Sequence, residues 1–421
     1  MNYHISHPTK KLSGSIQLTA SKSESNRALI IQALCSEKFE IKNLAAAVDT
    51  TTLTKILNAS TSLSTPNSAV TYDVGAAGTT MRFLTAYFST KPGTTILTGS
   101  DRMKKRPIGI LVNALRELGA TIEYMEGEGY PPLKITGKSL KGGEIEIDGN
   151  VSSQFISALL LIAPQFQNGL SIKFKGEVTS RPYINMTLKM MEEFRVYGQW
   201  YDDGISVSAQ SYHKKSEPDY AYTIEADWSS ASYWYAIAAL AEEADFIIKG
   251  LNHPSLQGDA IVADIFTFFG IKTAYTDDGI HLKKSPIKDE HFGFDFSDCP
   301  DLAQTVAVVV SVLQIPAFFN GLHTLRIKET DRITALKNEL KKINVEVVIL
   351  NDHSLKIILP TQVHTPNAPI ATYEDHRMAL AFAAIAMKLD YVIIEHPDVI
   401  QKSYPGFWND LKKTGFLIEE K

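Results

Sequence analysis

GGEIEIDGNVSSQFISALLLIA, residues 142–163, reads as a strand followed at once by a helix. Ile145 and Ile147 alternate with Glu144, Glu146 and Asp148, the period of a strand with one apolar face. From Ser152 the pattern changes: two serines lead into the nearly continuous apolar run Phe155 to Ala163, long enough for a buried helix. Working outward, the same alternation of β-rich and helical runs recurs, as in ATIEYMEG (120–127). Turn signals fall at Pro92-Gly93, Gly127 to Pro132, Lys141 to Gly143, Asp202 to Gly204 and Asp277 to Gly279, and none grows into a low-complexity linker. The chain is therefore of the α/β or α+β class, with any domains joined by short crossings.

At 421 residues the chain is long enough for two to three domains of about 150 residues each. With 42 basic and 47 acidic residues it carries a net charge of −5, and its 44% hydrophobic content is that of a globular protein. A polycation that coats nucleic acid is excluded. Cys35 and Cys299 form no CxxC pair, so the ligands for a disulfide framework or a structural zinc site are missing, and a reducing compartment is expected. The start, MNYHISHPTKKLSG, has no apolar core of the kind a signal peptide uses. The longest apolar stretch, Leu302 to Phe319, is broken by Gln304, Ser311, Gln314 and Pro316, whereas a spanning helix needs about 20 apolar residues. A cytoplasmic protein without membrane contact is the expectation.

Several helices begin alike. Small polar or glycine residues precede a cation in SKSESNRALIIQAL (Lys22, Arg27), GAAGTTMRFLTAY (Arg82), SRPYINMTLKMM (Arg181), RIKETDRITALKNEL (Lys328, Arg332) and YEDHRMALAFAAIAM (His376, Arg377). SSQFISALLLIA has the polar start, Ser152 and Ser153, without the cation. Helix N-termini carry unpaired N–H groups and about half a positive charge, so they attract phosphate and carboxylate. Each start taken singly is equally the cap that any helix prefers. Their recurrence in a net acidic chain points to a site for a polyanion.

The chemistry is bounded by what is missing. GAAGTTMR lacks the ending of a Walker A loop, and there is neither a GxGxxG after a strand nor a GxSxG. His4 and His7 have no further metal ligand nearby. Glu329, between Lys328 and Arg332, reads as a carboxylate at a helix start, either complementing the dipole or moving a proton among anions. Asp301 before LAQTVAVVVSVL and Lys22 between Ser21 and Ser23 have the same two readings, structural and catalytic. In DRMKKRPIG, Pro107 sits where a helix would begin, which places Arg106 at another helix start.

In order along the chain, SKSESNRALI (21–30), AGTTMR (77–82), RMKKRPIG (102–109), SSQF (152–155), SRPYI (180–184), DWSSASY (227–233), PDLAQT (300–305), RIKETDR (326–332), EDHRMA (374–379) and KSYPGF (402–407) resemble the 5-enolpyruvylshikimate-3-phosphate (EPSP) synthase family. The resemblance implies two similar domains, each of three βαβαββ units with helices inside and sheets outside, an inside-out α/β barrel. One would span 21–225 and the other 1–20 plus 226–421, with the active site in the cleft between them. The implied reaction, a step of aromatic amino acid biosynthesis, moves the enolpyruvyl group of phosphoenolpyruvate to the 5-hydroxyl of shikimate 3-phosphate. It passes through a tetrahedral intermediate and releases phosphate, with no cofactor.

By the same resemblance, Lys22, Asp301 and Glu329 are catalytic. Shikimate 3-phosphate is assigned to Lys22, Ser23, Arg27, Ser152, Ser153, Gln154, Ser180, Tyr183, Asp301 and Lys328. Phosphoenolpyruvate is assigned to Lys22, Gly78, Arg106, Gln154, Arg332, His376, Arg377 and Lys402. Thr19-Ala20, Ala76, Phe83 and Thr324 depart from the family pattern, but none removes a charge. The helix carrying Gly78 and Phe83 borders the pocket for glyphosate, the family's herbicide. The partners implied are the two small substrates, acting on a monomer, with no nucleic acid. The sister transferase acting on UDP-N-acetylglucosamine is the alternative, but it uses a loop cysteine where this chain has DRMKKRPIG. An RNA-end-processing protein and a non-catalytic anion binder are the rivals from other classes.

Overall fold

In a computed structural model of the chain, residues 1–61, 69–287 and 290–421 are described. They divide into two compact units: a host unit of Met1–Ala20 and Glu225–Lys421, and an inserted unit of Ser21–Ile224.

The chain begins in the host unit with β1 (Asn2–Ser6) and β2 (Lys11–Gln17). The inserted unit opens with α1 (Lys22–Leu34), β3 (Glu40–Lys42) and α2 (Val48–Thr61). Two complete βαβαββ copies follow. The first is β4 (Val70–Asp73), α3 (Gly78–Ser89), β5 (Gly93–Thr98), α4 (Gly109–Glu117), β6 (Thr121–Tyr124) and β7 (Leu133–Gly137). The second is β8 (Gly143–Asp148), α5 (Ser153–Ile162), β9 (Leu170–Lys175), α6 (Arg181–Glu193), β10 (Gly198–Tyr201) and β11 (Gly204–Val207). Both sheets place the strands of their copy in the order first, second, fourth, third. The first two strands run parallel across a helical crossover, and the last two close as a hairpin. The third copy of this unit borrows its first strand from the unit's end: β12 (Ala221–Thr223) pairs in parallel with β3.

The host unit repeats the plan. α7 (Trp228–Leu240), β13 (Glu243–Lys249), α8 (Val262–Phe268), β14 (Ile271–Thr276) and β15 (Gly279–Lys284) take β2 as their first strand, seven residues in parallel register with β13. Then come β16 (Phe292–Asp295), α9 (Ala303–Val312), β17 (Ala317–Asn320), α10 (Arg332–Leu340), β18 (Glu346–Asn351) and β19 (Ser354–Ile358), in the same sheet order. The last copy holds α11 (His376–Ala383), β20 (Val392–Glu395), α12 (Phe407–Lys413) and β21 (Leu417–Glu420). Its first strand is reduced to one parallel bridge, Ile370 to Ile394, and its fourth is β1, inserted between β20 and β21. Among the described residues no sheet closes on itself, so the expected barrel is not a closed β-barrel. The repeated units themselves are present.

Within each unit the helices are the inner layer. Every residue of α3, α9 and α11 is buried, as is nearly all of α7. The strands alternate buried and exposed, as in β13 and β9, and so present one face to water. A helix buried all round must satisfy its own hydroxyls. Thr85 and Ser311 do so by donating to the carbonyls of Met81 and Ala307, one turn back, at 2.7 Å. This inversion, apolar helices inside and sheets outside, leaves the helix N-termini as the natural place for polar chemistry.

Candidate active site

In the inserted unit the helix starts carry neutral caps. Ser21 caps α1 by accepting from the Glu24 amide at 3.3 Å, and Ser152 caps α5 by accepting from Gln154 N–H at 3.4 Å. Ala77, before α3, has no side chain able to cap, and Ser180, before α6, sits in the left-handed region at φ 54° with no capping hydrogen bond from its side chain among the described residues. A non-glycine residue in that region costs about 1–3 kcal/mol and persists only where its surroundings hold it. α1 has Glu24 in its first turn, but α3, α5 and α6 have no first-turn acid, so their dipoles stay uncompensated and favour an anion.

Side chains tie these starts together. Gln154 Nε2 donates to Thr79 Oγ1 at 3.3 Å, joining α5 to the first turn of α3. Arg106 is buried over Gly78: a Cβ added there would stand 2.9 Å from the guanidinium carbon. Arg82 donates to the carbonyls of Gly78 and Pro107 at 3.1 and 3.0 Å, bracing the loop that carries Arg106. Arg82 is thus an internal strut. Lys22 Nζ lies 3.6 Å from the buried Asp49 carboxylate, a partner the sequence reading did not single out.

Arg27 is more committed than its assignment suggests. Its guanidinium donates to Thr187 Oγ1, Ser157 Oγ and the carbonyls of Ser23 and Tyr183, using four of its five N–H groups at 2.7–3.1 Å. It also lies 5.7 Å above the Phe83 ring, so this departure from the family pattern supplies a cation–π contact. Burial brings its pKa down to about 10, and Tyr183 and Glu24 partly offset that. Arg181 faces elsewhere, stacked 4.1 Å over Trp200.

The host unit is built differently, because aspartates cap three of its helices. Asp227 caps α7 through the Ser230 amide, Asp331 caps α10 through Ile333 and Thr334, and Asp375 caps α11 through Arg377. The cations are therefore met by carboxylates. Arg332 is the centre: Nε donates to Asp375 at 2.7 Å, Nη1 to Asp301 at 2.8 Å and Nη2 to Glu329 at 2.9 Å. Asp301 also receives Arg377 at 2.8 Å and lies 3.4 Å from Lys328, while Glu329 receives Lys402 at 2.8 Å. Arg377 reaches back to the Tyr233 hydroxyl at 3.1 Å. His376 is buried, with Nδ1 3.7 Å from Asp375.

Among the described residues the ion pairs link four cations, Arg332, Arg377, Lys328 and Lys402, to three carboxylates, Asp301, Glu329 and Asp375, all largely buried. Burial alone would raise the pKa of Asp301, but Arg377, Lys328 and Arg332 outweigh it and hold the carboxyl well below the usual range. Lys328 shifts down because burial and the neighbouring arginines outweigh the attraction of Asp301.

Two positions differ from the sequence reading. α10 begins at Arg332, because Asp331 captures the cap by accepting two amides at 3.1 Å, so Lys328 and Glu329 lie before the helix and Glu329 is no first-turn acid. α4 begins at Gly109, and Arg106 ends the short 3-10 turn Met103–Lys105, not the start of a helix. Lys328 follows the 3-10 turn His323–Ile327, and Lys402 ends the 3-10 turn Pro397–Lys402. Arg106, Lys328 and Lys402 thus hold equivalent places ahead of the second helix of three different copies, a relation visible only once the copies are aligned. Thr324 is buried with no hydrogen-bond partner for its hydroxyl among the described residues.

The model of the EPSP synthase (3-phosphoshikimate 1-carboxyvinyltransferase) family matches residues 6–411. A 3-phosphoshikimate 1-carboxyvinyltransferase of Bacteroides fragilis is 49% identical over 423 residues, covering 100% of this chain and 99% of the relative. One from Vibrio atlanticus is 36% identical over 96% of this chain and 97% of its own. Among solved structures, an EPSP synthase from Acinetobacter baumannii superposes with a TM-score of 0.76 at 19% identity over the whole of both chains. The enolpyruvyl transferase NikO from Streptomyces tendae gives 0.75 at 14%, over 100% of this chain and 99% of NikO. These last two likenesses are of fold.

Proposed function

The chain belongs to the EPSP synthase family and transfers the enolpyruvyl group of phosphoenolpyruvate to the 5-hydroxyl of shikimate 3-phosphate, releasing phosphate; we propose that both constellations described above serve this one reaction. The carrying observation is the Arg332 fork, whose three carboxylate partners and three neighbouring cations make a charge cluster that anionic substrates can enter by displacing internal carboxylates.

Shikimate 3-phosphate takes the neutral-capped helix starts: its phosphate on Ser152, Ser153 and Ser180, its carboxylate on the one N–H that Arg27 leaves uncommitted among the described residues, with Ser23, Gln154 and Tyr183 lining the ring. Asp301 and Lys328 hold its hydroxyls. Phosphoenolpyruvate takes Lys22, Arg106, Gln154, Arg332, His376, Arg377 and Lys402, passing closely over Gly78. Arginine suits both ends of phosphoenolpyruvate because its planar fork binds phosphate or carboxylate through two bonds.

The 5-hydroxyl oxygen attacks C2 of phosphoenolpyruvate while its proton passes to Asp301 and the methylene gains a proton. In the second step the new methyl loses a proton, the double bond re-forms and phosphate departs beside Lys22. Glu329 is the group that gives and retrieves the methyl proton. Its carboxylate accepts from Arg332 Nη2 at 2.9 Å and lies 2.8 Å from Lys402 Nζ, the two cations that substrate anions would take up.

Phosphate release by the purified protein, given both substrates and each alone, tests the reading: release only with both supports it, and none by folded protein overturns it. Gly78→Ala tests the phosphoenolpyruvate side. The added Cβ would displace Arg106, so KM for phosphoenolpyruvate should rise about tenfold with the affinity for shikimate 3-phosphate unchanged. Steady-state kinetics with one substrate saturating measure it. A matching loss for both substrates would place Arg106 elsewhere in the site.

The sister reaction on UDP-N-acetylglucosamine is not favoured by the cysteines. Cys299 is buried, and burial and nearby carboxylates push its thiol far up, away from the reactive thiolate. Among the described residues no helix is long and apolar enough to cross a membrane. The cytoplasm is the proposed location and a monomer the proposed form, which sedimentation at working concentration tests.

A further inference from the structure

The segment that delivers Asp375, His376 and Arg377 to the cluster is bent in an unusual way. Tyr373 and Glu374, immediately before Asp375, both lie in the left-handed region, at φ 54° and 57°. Two consecutive non-glycine residues there pay a steric cost, so the turn persists only if something fixes it.

The fastening comes from α10. Arg332 and Glu339 are seven residues apart, two turns, and so point from the same face of the helix. Arg332 holds Asp375 at the end of the segment. Glu339, itself buried, holds its beginning: Oε1 accepts from the Tyr373 hydroxyl at 2.7 Å, and Oε2 accepts from the Ala371 amide at 2.9 Å. Lys342 Nζ neutralises that carboxylate at 2.6 Å and donates to the Pro369 carbonyl, also at 2.6 Å. Residues 371–375 are thus stapled at both ends to one face of α10, with Lys342 of the following 3-10 turn holding Pro369 ahead of them. None of Glu339, Lys342 or Tyr373 belongs to the charge cluster.

We propose that Glu339 and Tyr373 are positioning residues for the transfer reaction: by fixing the left-handed turn they set where His376 and Arg377 stand to receive phosphoenolpyruvate. This rests on the assignment of Arg377 to that substrate. Removing the Tyr373 hydroxyl frees the turn to relax and lets the start of α11 drift, which weakens an interaction of the bound substrate without touching the reacting atoms.

The test is Tyr373→Phe in the full-length enzyme, with KM for each substrate and kcat measured separately. KM for phosphoenolpyruvate should rise about tenfold, equivalent to about 1.4 kcal/mol, with kcat within about twofold and the affinity for shikimate 3-phosphate unchanged. Glycine adopts the left-handed region at no steric cost, so adding Glu374→Gly should bring that KM back toward the wild-type value. Glu339→Gln, which removes one acceptor, should move KM in the same direction and serves if Tyr373→Phe does not fold. An unchanged KM alongside a lowered Tm would make the staple structural only and overturn the proposal. Arg377→Lys is the control: if it leaves KM for phosphoenolpyruvate unchanged, the substrate assignment fails; if it raises KM while Tyr373→Phe does not, the positioning role fails.

Discussion

Glu329→Gln is expected to lower kcat about a thousandfold, within the range that a positioned acid–base group contributes, while KM for both substrates moves only a few-fold. The substitution is nearly isosteric and removes only the group that carries the proton. Glu329 sits where Arg332 and Lys402 both reach it, at 2.9 and 2.8 Å. Its use as an acid depends on substrate anions drawing those two cations away. Gln still accepts a hydrogen bond from Lys402, which keeps the fold intact. Single-turnover measurement of phosphate release separates the chemical step from product release. Turnover near the wild-type rate at saturating substrates would remove Glu329 from the mechanism and move the proton transfer to Lys22.

Asp301→Asn should cost both rate and stability. The rate falls about a thousandfold, because the amide cannot take the 5-hydroxyl proton. Stability falls because Asp301 is the common partner of Arg332, Arg377 and Lys328. Removing one side of a buried ion pair costs about 3–5 kcal/mol, and the 19% exposure of the Asp301 side chain puts the expectation at the low end, about 3 kcal/mol. The pH dependence carries a sign. The folded-state pKa of Asp301 lies below its unfolded value of about 3.9, so its contribution is fully present above that value and lost as pH falls through the lower, folded one. The gap in stability between wild type and variant should therefore be complete at pH 7, persist near pH 4 and close only in stronger acid. Urea unfolding across that range measures it. A gap that closes between pH 6 and 5 would mean another group is titrating.

Much of the fold was legible because its local signals agree. Helices apolar on every side, such as α9, can only be buried, and strands that alternate, such as β8, can only be half exposed. What could not be read is where the chain borrows a strand. Nothing local to Asn2–Ser6 shows that it lies between β20 and β21, about four hundred residues away. The site was legible as residue types and less so as geometry. The start of α10 turned on a contest between neighbouring caps, which Asp331 wins with two amide hydrogen bonds, pushing Glu329 out of the helix. Arg106 is held off a helix start because Arg82 takes the Pro107 carbonyl and the Ile108 amide is spent on Gly129. Asp49 carries no signal beyond that of an ordinary helix-start acid, and Asp375 looked like a cap, which it also is. Its second role, holding Arg332, depends on two segments meeting in space.

The place of β1 bears on how the protein is made. Asn2 and Lys421 exchange both of their backbone hydrogen bonds, at 3.0 and 2.9 Å, so segments about four hundred residues apart in the chain are finally paired. All of Ser21–Ile224 emerges before β13, the partner of β2, and long before β20 and β21, the partners of β1. The inserted unit can complete itself during synthesis, whereas β2 waits for β13, and β1 waits longer still for β20 and β21. Linking residue 1 to residue 421 and reopening the chain between the exposed turn residues Asp277 and Asp278 would change that order of emergence while keeping the strand pairs.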